Sequence, residues 1–373
     1  MPNPILPETL ILPEKTLSGR GAIQGLLQEC SRFGNRGILL HGKALQTSSV
    51  LADILSRNPT HSEVFTIRHQ GNEPTLAQLS DLLKQAHNFK ARWIAGVGGG
   101  SVIDLAKAAA ALFNSTHPPS RYHDGAPLEF PGIPFVAAPT TAGTGSEATI
   151  NSVLTNETTG AKKSIRDTSM MAKTVILDPA LLASCPPSVI AASGMDALTQ
   201  AIEAFTSRHA TWLSDELAIN GIRLITANLP LVYRHPATEE ANALLTGSYF
   251  AGMALSFARL GVVHGIAHPL GSLYHQPHGL VCAACLPLAI ELNRKAIGDK
   301  YTRMSQAVGQ DLLDHVKELM VTLNIRSPFA GKPCPEKERI IGETLASGST
   351  KANPKTITRQ DAEWLLAQLF ASQ

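Results

Sequence analysis

The sequence predicts two domains of different class, a parallel α/β domain first and an all-helical domain second. Three observations predict it. The first half alternates short apolar, β-branched runs with helical patterns, the order that parallel strands and crossover helices produce. From Ser188 onward, helical patterns follow one another with no convincing alternating strand. The chain has 373 residues, more than one hydrophobic core usually organises. The domains are placed at 1–183 and 184–373, with Pro186 and Pro187 marking the junction.

The elements follow in order. Residues 36–42 (RGILLHG) read as a buried strand ending in glycine, and a helical pattern runs from there to Arg57. Residues 62–67 (SEVFTI) are a second strand. Glu73 to Lys90 reads helical, with Leu76, Leu79, Leu82 and Leu83 on one face. RWIAGV (92–97) is a strand, followed by GGGS and the helical DLAKAAAALF. IPFVAAP (133–139) and TVILDP (174–179) are further short strands, and 115–134, rich in Pro and Gly, is a surface loop. Helices are predicted at 188–207, 212–229, 238–258, 261–272 and 281–295. The tail from 300 is helical through AEWLLAQLF. No fixed-period repeat or low-complexity tract is present.

Composition removes several function classes. Lys plus Arg is 32 and Asp plus Glu is 30, a net charge of +2. That gives no bulk field for nucleic acid or an anionic membrane, so neither is expected as a partner. No apolar run reaches about 18 residues, and the start carries no basic segment before an apolar stretch, so no secretory signal is read. Five cysteines, few and odd in number, fit a reducing, cytoplasmic setting better than a disulfide framework. Cys282 and Cys285 form one CxxC inside the apolar VCAACLP. With no second pair, they read as two small buried helix residues.

Four motifs carry chemistry. Gly98-Gly99-Gly100-Ser101 lies between a strand and a helix, where missing Cβ atoms let backbone N–H groups approach a phosphate and the helix N-terminus adds its dipole. The spaced GxGxxG fingerprint is not there. Thr140-Thr141-Ala142-Gly143-Thr144-Gly145-Ser146-Glu147 follows another strand, a position suited to a ligand crevice. Asp196 and Gln200 are four apart in GMDALTQAIEA and share one helix face. His264 and His268 repeat that spacing in HGIAHPLG, and His275 and His278 follow. Neutral imidazoles beside a carboxylate are what Zn²⁺ and Fe²⁺ sites use.

Taken together, GGGSVIDLAKA, PTTAGTGSE, GMDALTQAIEA, HGIAHPLG…PHG and ASGSTKANP resemble the iron-containing (group III) alcohol dehydrogenase family in residue type, order and spacing, along nearly the whole chain. The resemblance implies a Rossmann-like N-terminal domain that binds NAD(P), a helical C-terminal domain, and one divalent metal, Fe²⁺ or Zn²⁺, in the cleft between them. This is the architecture shared with dehydroquinate-synthase-like proteins. The activity it implies is reversible hydride transfer between nicotinamide and a small alcohol or aldehyde, the metal polarising the oxygen. Asp196, His264 and His278 match three of the family's ligands. The fourth position, usually His, is Gln200 here. Gln200 then ligates through its amide oxygen, or holds a water or substrate oxygen beside a three-ligand metal, or the site is metal-free as in maleylacetate reductases. A retained metal is the favoured expectation. His275 is a less favoured compensating ligand.

By the same resemblance His268 is the proton relay, and Asp104, the carboxylate near the cofactor, is the second catalytic candidate. Gly98, Gly99, Gly100 and Ser101 cradle the pyrophosphate. Thr140, Thr141, Thr144 and Ser146 line the nicotinamide side, and Lys162, with Lys163 as the alternative, contacts the cofactor. Gly42, in Leu40-His41-Gly42-Lys43, lies near the position that discriminates NAD from NADP. No carboxylate stands there, and His41 and Lys43 would welcome a 2′-phosphate, so either cofactor is expected to bind. Two other outcomes follow from Gln200: a metal-independent reductase of an acidic carbonyl compound, of the maleylacetate or phosphonoacetaldehyde kind, or a degenerate nucleotide-binding homologue. A homodimer is implied, with Glu8–Pro13 (ETLILP) as a candidate edge strand.

Overall fold

In the computed structural model, which describes residues 4–46, 48–71 and 73–371, the apolar runs of the first half become a six-stranded, wholly parallel sheet. Its strands are β1 (Lys15–Ser18), β2 (Arg36–His41), β3 (Glu63–Arg68), β4 (Trp93–Gly98), β5 (Phe135–Pro139) and β8 (Thr174–Leu177), in the order β1-β8-β5-β4-β2-β3. Two further strands, β6 (Asn151–Asn156) and β7 (Ala161–Arg166), form a separate antiparallel hairpin. The helices of this part are α1 (Leu26–Ser31), α2 (Lys43–Gln46), α3 (Val50–Ser56), α4 (Leu76–Phe89), α5 (Gly100–Leu112) and α6 (Pro119–His123). Strands β4, β5 and β8 are buried along their whole length, as a sheet covered on both faces requires. Leu39, Trp93, Ala95, Val136 and Ile176 form its core with Leu26 of α1.

Register sets the motif loops side by side. Gly37 pairs with Trp93, and a Cβ on Gly37 would lie 2.1 Å from the indole, so only glycine admits this neighbour. At the other end, Gly42 N–H donates to Val97 O at 3.0 Å and Thr140 N–H donates to Gly98 O at 2.9 Å. The carboxyl ends of β2, β4 and β5 are thus adjacent, the position where open α/β sheets take ligands.

Three expectations change. Glu8–Pro13 is not a strand; the first strand begins at Lys15 and pairs with β8. The β6–β7 hairpin was not anticipated, because its strands are only partly buried and largely polar. The 115–134 loop contains α6, whose Tyr122 and His123 are buried, with His123 Nε2 3.0 Å from Leu154 O.

The second half is helical: α7 (Pro187–Thr206), α8 (Trp212–Arg234), α9 (Glu240–Ala258), α10 (Val262–Tyr274), α11 (His278–Ile297), α12 (Asp299–Val308), α13 (Leu312–Thr322), α14 (Lys337–Ala346), α15 (Gly348–Ala352) and α16 (Arg359–Phe370). Pro187 opens α7 at a position where its missing N–H costs nothing. From Gly194 to Thr206 every residue of α7 is buried, as befits a helix packed on several sides by α8, α9 and α11. Helix α11 begins at His278, three residues earlier than the sequence pattern indicates. One compact unit comprises Ile11–Thr141 and Gly145–Cys185; the other is built from Pro186 onward with residues 142–144 and the N-terminal residues through Leu10. Among the described residues no single helix is long and apolar enough to cross a membrane.

Candidate active site

In the α/β unit the glycine turn follows β4. A Cβ on Gly98 would lie 2.5 Å from Val102, so glycine is needed for the first turn of α5 to fold back on the strand. No side chain caps α5 at Gly99, which leaves the positive end of its dipole for an anion. Gly42 lies beside this turn, its ideal Cβ position 3.8 Å from Gly98 Cα. Thr141 approaches Gly99 from the next strand. Lys43 is exposed, while the His41 imidazole is buried with Nδ1 3.1 Å from Gly42 O.

Asp104 and Lys107, neighbours on α5, hold the second loop in place. Asp104 accepts a short hydrogen bond from Ser146 Oγ, and another from Val153 N–H at 3.0 Å. Lys107 is fully buried. Its ammonium donates to Ser146 O (2.6 Å), Ser146 Oγ (2.9 Å), Thr149 O (3.1 Å), Thr149 Oγ1 (3.2 Å) and Asn151 O (2.7 Å). Burial pushes the Lys107 pKa down to about 8 and that of nearby Glu147 up to about 7. Burial also raises Asp104, against the pull of Lys107 and Ser146. Both oxygens of Asp104 are therefore engaged with the protein itself. Lys162, on β7, pairs with Glu73, and Lys163 pairs with Asp124. Thr144 lies in the 142–144 segment that packs with the helices, where a Cβ on Gly143 would lie 2.6 Å from Ser193.

In the helical unit, α7 presents Asp196, Gln200 and Glu203 at helical spacing, α10 brings His264 and His268, and α11 brings His278 and Cys282. Glycines allow the close approach. A Cβ on Gly279 would meet Ala192 O at 2.1 Å, and one on Gly261 would meet Glu203 Oε1 at 2.7 Å. His264 Nδ1 donates to Glu203 Oε2 at 2.6 Å, and Val263 N–H donates to Glu203 Oε1 at 2.6 Å. This pins Nδ1 as the donor and leaves Nε2 facing inward. His264 Nε2 lies 3.3 Å from Asp196 Oδ1, and His278 Nε2 lies 3.8 Å from the same oxygen. Cys282 Sγ is 3.5 Å from His278 Nε2. The four ligand atoms of Asp196, His264, His278 and Cys282 all lie within 4.8 Å of one another.

Gln200 Nε2 donates to Asp196 Oδ2 at 3.2 Å. Asp196 Oδ1, Gln200 Oε1 and His264 Nε2 are buried with no hydrogen-bond partner. Leaving each unmade costs about 1–3 kcal/mol; a shared divalent cation would satisfy acceptors of this kind together. Burial opposes ionisation of Asp196, but the neighbouring His264 and His278 imidazoles hold its carboxyl below the usual range. Burial would lower His264, yet Asp196 and Glu203 outweigh it and push the imidazole up to about 10. Burial, with Asp196 close by, pushes the Cys282 thiol well up.

The structure thus brings Asp196, Gln200, His264 and His278 together. His268 is half-buried, its ring 5.2 Å from that of His278. His275 is the exposed, left-handed residue that ends α10 (φ 50°) and takes no part in the cluster. Cys282 and Cys285 are both buried in α11, but Cys282 faces the cluster. Its spacing of four from His278 was the available signal, hidden within an apolar run.

A nucleotide-type turn at the carboxyl end of a parallel sheet and a buried Asp/His/His cluster on a helical unit define a two-domain dehydrogenase. The comparisons specify it. The family model for iron-containing alcohol dehydrogenase matches residues 13–179, and that for the Fe-containing alcohol dehydrogenase family, C-terminal, matches 190–370. Lactaldehyde reductase of Escherichia coli (strain K12) is 34% identical over 307 residues, covering 80% of this chain and 79% of that protein. The crystal structure of a 1,3-propanediol oxidoreductase superposes with a TM-score of 0.90 at 28% identity, over 97% of this chain and 99% of the other. Sulfoacetaldehyde reductase from Bifidobacterium kashiwanohense, in complex with NAD⁺, gives a TM-score of 0.90 at 26% identity, over 98% and 99%. The chain belongs to the iron-containing alcohol dehydrogenase family and is an oxidoreductase acting on alcohols and aldehydes.

Proposed function

We propose that this enzyme interconverts a short polar aldehyde and its alcohol with NAD(P)(H), using one divalent cation held by Asp196, His264 and His278 beside Gln200. The observation that carries this reading is the set of buried, partnerless atoms Asp196 Oδ1, Gln200 Oε1 and His264 Nε2, with Glu203 pinning the imidazole between them. Oxygen and imidazole donors in this number suit Fe²⁺ or Zn²⁺. When bound, the cation supplies a Lewis acid for the carbonyl oxygen and the nicotinamide supplies or accepts the hydride.

The chain's own residues do the rest. Gly98 to Ser101 and the N-terminus of α5 bind the pyrophosphate, with Gly42 keeping the neighbouring strand end clear. Thr140, Thr141, Thr144 and Ser146 line the nicotinamide side. Asp104 acts by holding Ser146, and Lys162, on the β6–β7 hairpin beside Glu73, contacts the cofactor. His268, next to His278, carries the proton to and from the substrate oxygen. The end of β2 offers no carboxylate to repel a 2′-phosphate, which supports acceptance of both NAD and NADP. The names of the relatives, lactaldehyde reductase and 1,3-propanediol oxidoreductase, support a small substrate carrying a second oxygen. Exposed Ile5, Leu6, Leu10 and Leu12 support pairing of two copies through the N-terminal segment. Five free cysteines support a reducing, cytoplasmic setting.

The test is NADH and NADPH oxidation by anaerobically purified protein with lactaldehyde and other short or acidic aldehydes, after chelation and after restoring Fe²⁺ or Zn²⁺. Activity that disappears on chelation and returns with metal is expected. Activity indifferent to both treatments overturns the metal role and favours the metal-independent reductase that Gln200 allows. Nucleotide binding without turnover of any carbonyl would favour the degenerate homologue.

A further inference from the structure

The cluster holds one more donor than the proposed function uses. Cys282 sits one helical turn beyond His278 on α11, is fully buried, and points its sulfur at the other ligand atoms. Two of the six separations match the edges of a single coordination shell. Tetrahedral bonds of about 2.0–2.1 Å to N and O and about 2.3 Å to S require edges of roughly 3.3 Å between N and O and roughly 3.6 Å between S and N. His264 Nε2 and Asp196 Oδ1 are 3.3 Å apart, and Cys282 Sγ and His278 Nε2 are 3.5 Å apart. A third, His278 Nε2 to Asp196 Oδ1, is 3.8 Å, and all four ligand atoms lie within 4.8 Å of one another. The thiol does not pack as a small hydrophobe only: it meets the His278 imidazole at 3.5 Å and lies within 4.8 Å of Asp196 and His264. Cys285, one turn further along, is buried and outside the cluster.

Gln200 is committed through its amide nitrogen only. Its amide nitrogen donates to Asp196 Oδ2, which turns Oδ1 toward the two imidazoles. We propose that Cys282 Sγ joins Asp196, His264 and His278 in the metal shell, while the Gln200 amide nitrogen positions Asp196. The inference rests on the reading that the cluster binds a divalent cation. On binding, the Cys282 S–H bond ionises, the sulfur lone pair is donated to the cation, and the proton leaves to solvent. No electron is transferred. Carboxylate and thiolate then carry two negative charges against the two positive charges of the cation, so the centre is neutral. A soft thiolate shifts preference toward Zn²⁺ and Co²⁺ and away from Fe²⁺ and Mn²⁺.

The probe is Co²⁺ alone, added to the full-length protein after chelation. One equivalent should bind and give visible d–d bands together with a thiolate-to-cobalt charge-transfer band in the near ultraviolet. Cys282→Ser should lose the near-ultraviolet band, and Cys285→Ser should keep it. X-ray absorption of the Zn²⁺-loaded wild-type protein needs no variant and should find one sulfur at about 2.3 Å. Stoichiometric Co²⁺ binding without the charge-transfer band, or a zinc shell of N and O only, overturns the Cys282 assignment and leaves the metal-binding reading standing. Failure of the wild-type protein to bind Co²⁺ or Zn²⁺ at all overturns both.

Discussion

Replacing Glu203 by Gln tests how the site is tuned from outside the ligand set. Glu203 accepts two N–H bonds at 2.6 Å, from Val263 N and His264 Nδ1. An amide has only one oxygen, so Glu203→Gln must point its NH₂ at one of these donors. With the oxygen kept on the backbone N–H of Val263, the amide NH₂ faces Nδ1, which then becomes an acceptor. The His264 proton moves to Nε2, 3.3 Å from Asp196 Oδ1, and occupies the lone pair a cation needs. Loss of such a support lowers metal affinity about 10- to 100-fold, or roughly 1.4–2.8 kcal/mol. Competition for Zn²⁺ against a chromophoric chelator, with the apo-proteins compared first by circular dichroism, measures it. A folded variant with a Zn²⁺ Kd within about threefold of wild type would refute the argument that Glu203 sets the His264 tautomer.

Other expectations follow from the same structure. Glu147 has a raised pKa, about 7 against an ordinary 4.5. Its contribution to stability is full below pH 4.5 and is lost as pH rises through 7, so Glu147→Gln should gain on wild type across that window by a few kcal/mol, on the order of 3. A stability difference that does not change with pH, read by denaturant titration, would contradict this. Lys107→Met removes the cation that holds Ser146, Thr149 and Asn151. It should cost about 3–5 kcal/mol in urea unfolding of the α/β unit; a loss below about 1 kcal/mol would mean that water replaces the ammonium. Gly279→Ala forces a Cβ to 2.1 Å from Ala192 O. It should destabilise by at least about 1–3 kcal/mol and, by moving the adjacent His278, weaken Zn²⁺ binding as well. Unchanged Tm and unchanged Zn²⁺ affinity together would show that α11 does not need this approach.

Much of the order along the chain can be read without coordinates. Continuous apolar runs such as Ile38–Leu40 and Val136–Ala138, short and alternating with helical patterns, read as buried strands joined by crossovers, and the fold class follows. The spacing of four in Asp196/Gln200 and His264/His268 likewise assigns each pair to one helix face, whatever the rest of the chain does. Short and half-polar segments escape such reasoning. The β6–β7 hairpin is partly exposed and gains its stability from Lys107 and Asp104, which lie over forty residues earlier. β1 is a four-residue strand that exists because β8 is there to pair with it.

The site divides in the same way. Local periodicity identifies the donors on each helix. The distances between helices depend on which glycines let backbones meet, as Gly279 does against Ala192 and Gly261 against Glu203. Only the tertiary structure gives His264 its carboxylate partner, leaves His275 exposed at a helix end and brings Cys282 within 4.8 Å of Asp196 and His264. A sequence fixes which atoms a helix can present on one face. Whether a thiol among apolar neighbours is packing or a ligand depends on the packing of a second helix, because hydrogen bonds and metal bonds are decided over tenths of an ångström between residues far apart in the chain.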